Sequence, residues 1–418
     1  GAGEIVVNEE AKSFTVHGKK FVEGDWISLD GSTGKVYGQK VKTVDATVSG
    51  DFKTLMDWAD KYRALKVRTN ADTPRDAKVA YNFGAQGIGL CRTEHMFFEG
   101  ERIKAMREMI VAKTLAERER ALAKLLPMQR QDFIGLYEEM HGYPVTIRYL
   151  DPPLHEFLPT EEEDIVELAK EMGLSYDELK NTIVSLHESN PMLGHRGVRI
   201  AVSYPEIYNM QVRAIFEAVC RLKKEGVEAM PEIMIPIVMT ASEVKIVRNG
   251  KKIEGKNIVG IRDIEEEVRK KFGLDEPIHY KVGSMIELPA AALQAGEIAR
   301  YAEFFSFGTN DLTQTTNGLS RDDFNNFFSD YNEFDLLPQN PFKVLGDQVK
   351  EMIKIASERG RLARPDIVLG LCGEHGAEPE NIPFSQAVGM NYVSCSPYGI
   401  PIAKLAIAQM NLAEAGKN

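Results

Sequence analysis

Residues 305–314, FSFGTNDLTQ, run from an apolar segment through Gly308 into adjacent Asn310 and Asp311. Such an unbroken apolar run suits a strand covered on both faces, as in a parallel sheet, and Gly308 lets the backbone turn or approach a ligand closely. Thr309, Asn310 and Asp311 then stand at the strand's carboxyl end, where α/β sheets and barrels hold their ligands. Asn-Asp after glycine is also the signature of an ordinary turn. The flanking segments decide between the two readings.

Working outward, apolar strand segments recur at KVRTNAD (66–72), GIGLCRTE (87–94), VTIRYLD (145–151), EIMIPIVM (232–239), KVGSMIEL (281–288), FFSFGTND (304–311), VLGLCGEH (368–375) and YVSCS (392–396). Amphipathic runs such as 206–224 lie between several of them, and eight strands alternating with helices predict an α/β fold, a (β/α)₈ barrel of the TIM type. Thr73-Pro74 marks a helix start, and Thr160 with Glu163 reads as a capping box. In residues 52–62, Phe52, Leu55, Met56, Ala59 and Tyr62 share one helical face. The connection 152–231 is long enough to form a lid or substructure over the barrel mouth. The charged segment 249–271 reads as a solvated helix and loop.

Ahead of the barrel, residues 1–45 show short alternating strands broken by glycine turns, among them Asp30-Gly31-Ser32-Thr33-Gly34. They are too short to stand alone and are expected to be the end of a small β-rich domain, with residues 46–418 as the barrel.

Composition narrows the function. The 418 residues are 43% hydrophobic and 27% charged, enough to bury a large core. A net charge of -11 and a pI near 5.4 argue against general nucleic-acid binding. Cys91, Cys220, Cys372 and Cys395 are widely spaced, which fits a reducing, cytoplasmic-type compartment without disulfides or structural zinc. No apolar run reaches membrane-spanning length.

Polar residues gather at the carboxyl ends of the strand segments: Arg92, Arg148 with Asp151, Glu287, Asn310 with Asp311, and Cys372. A single strand-end arginine is commonly a surface ion pair. A ring of such ends argues for a site. Arginines offer bidentate recognition of carboxylate or phosphate, and Glu287 with Asp311 are hard oxygen ligands suited to Mg²⁺. Cys372, between glycines in GLCGEHG, is either a small buried hydrophobe or, beside a cationic pocket, an acid or base.

LCRTEHMFF, RYLDPP, MLGHRGVR, MIELPAA, SFGTNDLTQ, GLCGEHG and NYVSCSP, in this order, resemble the phosphoenolpyruvate-utilising enzymes along the whole chain. The resemblance implies a barrel that interconverts pyruvate and phosphoenolpyruvate (PEP) with Mg²⁺, exchanging a phosphoryl group with a histidine on a swivelling phosphohistidine domain. Residues 1–45 would be the tail of that domain, and the barrel would form a homodimer. It also implies roles: Arg92, Arg148 and Arg196 bind the anion, Asp151 supports them, and Gly308, Thr309, Asn310 and Asp311 form the substrate turn. Glu287 and Asp311 ligate the metal, and Cys372 donates the proton to the substrate methylene.

HMFF after CRTE and GEHG after the cysteine favour the family's dikinases over PEP synthase. His195 stands where enzyme I of the sugar phosphotransferase system usually has tryptophan. Three departures stand out: no histidine lies in a phosphohistidine motif, no G-x-x-x-x-G-K-[ST] loop is present, and Ala377 replaces a usual glycine after GEHG. The segment near Asn249 is also longer than the family pattern.

Overall fold

The computed structural model describes residues 5–9, 11–30, 33–43, 47–98 and 100–416. The chain divides into two compact units, Gly1–Thr47 and Val48–Asn418.

In the first unit, Val6–Asn8, Ser13–Val16 and Lys19–Val22 pair as an antiparallel sheet, and Ser28–Asp30 pairs with Lys35–Tyr37. Little is covered: Val6, Val7, Trp26 and Leu29 are each more than 60% exposed. Gly31 and Ser32 of the expected Asp30–Gly34 turn lie outside the described residues.

The second unit is a closed barrel of eight parallel strands, which we label β1 (Lys66–Asn70), β2 (Ile88–Arg92), β3 (Pro144–Arg148), β4 (Met230–Ile235), β5 (Lys281–Ile286), β6 (Phe304–Phe307), β7 (Val368–Leu371) and β8 (Tyr392–Cys395). Each strand segment read from the sequence is present. Sequential neighbours pair in parallel and β8 closes on β1, with Tyr392 opposite Lys66. The strands are mostly apolar because each is covered twice, by helices outside and by packed side chains inside.

The barrel interior is not wholly apolar. Arg68 on β1 donates to Glu232 on β4 at 2.8 Å, Thr146 on β3 donates to the same carboxylate at 2.8 Å, and the Arg68 guanidinium lies 4.0 Å from the Tyr392 ring centre. All are buried. Leu90, Met234, Met285, Phe304 and Cys372 form a separate small apolar cluster. Gly283 makes room for it, since a Cβ there would lie 2.4 Å from the Phe304 ring.

Several local expectations need correction. The Thr160–Glu163 capping box does not form. The helix is Glu162–Met172, Glu161 is its N-cap, and Glu162, Glu163 and Asp164 instead place negative charge against the helix's positive end. Capping boxes close elsewhere, at Thr114/Glu117, Ser175/Glu178 and Thr240/Glu243. The segment near Asn249 is not a loop but an antiparallel hairpin, Lys251–Ile253 with Lys256–Ile258, turning at Gly255 with φ 76°. The helix after it, Ile261–Lys271, buries Ile261, Ile264 and Val268 together with Glu265, which accepts from Arg269 at 2.9 Å, so it is only partly solvated. Helix Gly50–Tyr62 packs on helix Ile400–Ala415 and buries only Met56 and Ala59; Phe52, Leu55 and Tyr62 remain over a third exposed. The Thr73 signal holds, with its hydroxyl accepting from the Asp76 amide at 3.2 Å.

The long connection after β3 does build a substructure. Helices Glu162–Met172 and Tyr176–Leu186 share a small core of Ile165, Leu168, Ala169 and Leu179. The chain then returns past Arg196 to helix Pro205–Lys224, which packs against the barrel.

The buried Arg68–Glu232 pair yields a stability prediction. Arg68→Met leaves Glu232 buried with only the Thr146 hydroxyl and no charged partner, and should cost about 3–5 kcal/mol, read by urea unfolding. A loss below about 1 kcal/mol would mean that water or a rearranged neighbour solvates the carboxylate.

Candidate active site at the carboxyl ends of the strands

A cavity of about 1150 Å³ opens at the carboxyl ends of the strands. Arg92 enters it from β2, Arg148 and Asp151 from the end of β3, Arg196 from the long connection, and Asn310 and Asp311 from the turn after β6. Pro191, Met192 and Leu193 wall it from the substructure.

Charge organises this cavity. Arg148 contacts Glu94 and lies 3.1 Å from Asp151. Arg196 forks onto Asp151 at 2.6 and 3.1 Å and reaches Asp311 at 3.4 Å. Burial alone would raise the Asp151 pKa, but Arg148 and Arg196 outweigh it and hold the carboxyl below its usual range. Arg92 is anchored through its backbone, its amide donating to Asp72 at 2.7 Å.

Glu287 sits at the end of β5 and is 1% exposed. Its Oε1 accepts from the Ile237 amide at 2.5 Å, while its Oε2 is buried without a partner. Burial, then Asp311 and Asp151, push its pKa well up. Asp151, Glu287 and Asp311 present oxygens that all lie within 4.8 Å of one another. Buried oxygens with an unused lone pair, gathered this closely, suit a hard divalent cation. The Asn310 side-chain oxygen is also buried and unpartnered beside them. Gly308 is needed here for space rather than for a special dihedral: its φ is -81°, and a Cβ would lie 2.5 Å from Glu287 Oε2.

The remaining expected residues, Thr309 and Cys372, are buried and do not line the cavity. Thr309 is fully buried and its hydroxyl faces His375 at 2.6 Å. Cys372 is 1% exposed, with Sγ 3.5 Å from the Phe307 carbonyl. Burial pushes its thiol up to about 11, so at neutral pH it keeps its proton. Ala377 closes the short turn Glu374–Ala377 and packs against the core, so the loop accommodates it.

Sequence reading did not single out Glu94, Arg321, Asp72 or Asn70. Glu94 carried a strand-end signal inside LCRTEH. Arg321 did not, because it lies beyond a helix, yet it lines the same cavity and pairs with Glu374 at 2.6 Å. Asn70 bridges β8 and β7, accepting from Ser394 at 2.6 Å and donating to the Cys372 carbonyl at 3.0 Å.

Residues 46–412 match the family model described as PEP-utilising enzyme, PEP-binding domain. The chain belongs to that family. Proteins named pyruvate, phosphate dikinase are similar to it: 51% identical over 99% of this chain in Clostridium symbiosum, 54% over 96% in Treponema pallidum, and 52% over 98% for the chloroplastic protein of Flaveria pringlei. The matched region is 46%, 46% and 42% of those proteins, so this chain spans less than half their length. Among the described residues no helix is long and apolar enough to cross a membrane.

Two predictions follow from the carboxylates of this site. Gly308→Ala should cost about 1–3 kcal/mol through overpacking against Glu287, measured by thermal unfolding. A neutral result would place Glu287 elsewhere. The second concerns pH. The folded-state pKa of Glu287 is raised, so the folded protein retains a proton that the unfolded chain loses, and stability falls as pH rises from the ordinary carboxylate value toward the folded one. Asp151 and His375, both with lowered values, lose stability in the opposite direction, as pH falls. In metal-free protein, Glu287→Gln should therefore abolish the part of the decline above the ordinary carboxylate range that Glu287 causes. Identical profiles for variant and parent would refute the burial of a protonated Glu287.

Proposed function

We propose that this chain carries the PEP/pyruvate half of the pyruvate, phosphate dikinase reaction. The observation that carries the reading is the joint one: Asp151, Glu287 and Asp311 within 4.8 Å of one another, with Asp151 and Asp311 lining a cavity shared with Arg92, Arg148, Arg196 and Arg321. A cation site bordered by arginines suits a small, multiply charged anion with both carboxylate and phosphoryl groups.

In this reading Glu287 and Asp311 hold Mg²⁺, with Asp151 adjacent. When bound, the ion draws charge from the enolate oxygen of pyruvate. Arg92, Arg148 and Arg196 orient the carboxylate and phosphoryl oxygens, and Arg321 adds a further positive group at the rim. Asn310 offers its free side-chain oxygen, and Gly308 and Thr309 shape the turn. From PEP toward pyruvate, the phosphoryl group leaves the enolate oxygen for a histidine nitrogen of the phosphohistidine domain. The thiol proton of Cys372 goes to the methylene carbon. The arginines act mainly by positioning and by neutralising charge in the phosphoryl transfer.

Residues 1–45 belong, in this reading, to the phosphohistidine domain, whose remainder supplies the acceptor histidine. The barrel pairs as a homodimer. Cys91, Cys220, Cys372 and Cys395 are all free, which suits the cytoplasm or an organelle with a reducing interior.

The test uses oxalate, a stable mimic of the pyruvate enolate. Calorimetry should register Mg²⁺-dependent oxalate binding to the parent and its loss in Asp311→Ala, with the fold intact by circular dichroism. Equal binding by the variant would overturn the metal assignment. Cys372→Ala should keep oxalate binding but slow Mg²⁺-dependent exchange of pyruvate methyl protons with solvent deuterium by ~10²–10⁴-fold. Cys372→Ser exchanging as fast as the parent would reduce Cys372 to a packing residue.

A further inference from the structure

His375 is fully buried, yet it is bonded through both ring nitrogens to two different segments. Its Nε2 lies 2.8 Å from the Pro341 carbonyl oxygen. A carbonyl can only accept, so Nε2 carries the hydrogen. Burial holds the ring neutral by pushing its pKa down. Nδ1 is then a bare acceptor, and the Thr309 hydroxyl, 2.6 Å away, donates to it. The Pro341 carbonyl thus fixes the tautomer, and the tautomer fixes the direction of the Thr309 proton.

These bonds join the parts that the reaction must keep in register. Thr309 opens the helix Thr309–Asn317 and directly precedes Asn310 and Asp311. His375 lies in the loop that begins with Cys372. Pro341 follows the segment that walls the cavity through Leu319, Ser320 and Arg321. The loop and the turn also touch at Gly373, where a Cβ would fall 1.8 Å from Thr309 Oγ1. On its other side Cys372 is held by the strands, its amide donating to the Phe307 carbonyl at 3.2 Å and its own carbonyl accepting from Asn70 at 3.0 Å.

We propose that His375 is a positioning residue, which through its bond to Thr309 sets the distance between the Cys372 thiol and a substrate held at Asn310 and Asp311. The proposal rests on the reading of Cys372 as the proton donor. It separates two tasks within one site. Anion and metal binding depend mostly on arginines and carboxylates outside the β6 turn, Arg92, Arg148, Asp151, Arg196 and Glu287, with Asp311 shared, whereas proton delivery depends on the register between the β6 turn and the β7 loop.

Two substitutions divide the two bonds of the imidazole. His375→Asn places an acceptor oxygen near the Nδ1 position and keeps the partner of Thr309, while His375→Gln places a donor near the Nε2 position and keeps the bond to Pro341. Each variant is assayed for Mg²⁺-dependent deuterium exchange into pyruvate and, by calorimetry, for Mg²⁺-dependent oxalate binding. The expected result is exchange reduced on the order of 10- to 100-fold in His375→Gln, as a misplacement near 1 Å would do. His375→Asn should retain most of the exchange, and oxalate affinity should be unchanged in both.

Thr309→Val removes the same bond from the other side, and tests the proposal if the histidine variants do not fold. In the exchange assay it should match His375→Gln, and combining the two should add no further loss of exchange. If oxalate affinity falls in step with exchange, His375 is merely structural and the proposal is wrong. It is equally wrong if His375→Gln and Thr309→Val exchange like the parent. A parent that binds oxalate but exchanges no protons refutes the donor reading itself, and the proposal falls with it.

Discussion

Three carboxylates, two of them buried, held within 4.8 Å of one another are the constraint on which the site depends. At an effective dielectric constant of about 20, two like charges at that distance repel by at least about 3.5 kcal/mol. Three ionised groups would cost about 10 kcal/mol, comparable to the whole stability of a typical domain. Arg148 and Arg196 neutralise Asp151, and Arg196 reaches Asp311. Neither arginine bonds Glu287, whose second oxygen has no partner. Either a proton or a cation must answer for that oxygen. The raised Glu287 pKa is the proton's solution in the metal-free protein.

The barrel makes this arrangement sustainable. Parallel strands bring their carboxyl ends to one rim, so residues distant in sequence, such as Arg92 and Asp311, meet without long loops. The strands are buried on both faces and cannot shift easily, which holds the rim charges against their mutual strain. Space is set by omission as much as by packing. Gly308 leaves room for the Glu287 carboxylate, and Gly373 lets the Cys372 loop press against Thr309. The substructure after β3 closes one side of the cavity and delivers Arg196 from above.

Much of the fold was legible because a doubly covered strand must be a short apolar run, and eight such runs are plain in the chain. The polar ends were legible for the same reason: Arg148 or Glu287 directly after an apolar run has no other easy explanation. What stayed hidden depends on partners distant in sequence. Nothing near Thr309 says that its hydroxyl serves His375, and nothing near Arg321 says that it turns into the cavity. Local signals also misled where a rival local effect prevailed. Thr160 lost its helix start to a run of acidic residues that stabilise the first turn directly. Helix Gly50–Tyr62 shows an apolar face of which only the centre is covered.

The central claim is that the carboxylates at the rim form a cation site that PEP binding requires. Titration calorimetry of the intact chain with PEP, in Mg²⁺ and again in a chelator, tests it most directly. The account predicts binding in Mg²⁺ that weakens in its absence by at least about tenfold, about 1.4 kcal/mol. Equal affinity under the two conditions would contradict it, and would leave the arginines as the sole basis of anion recognition.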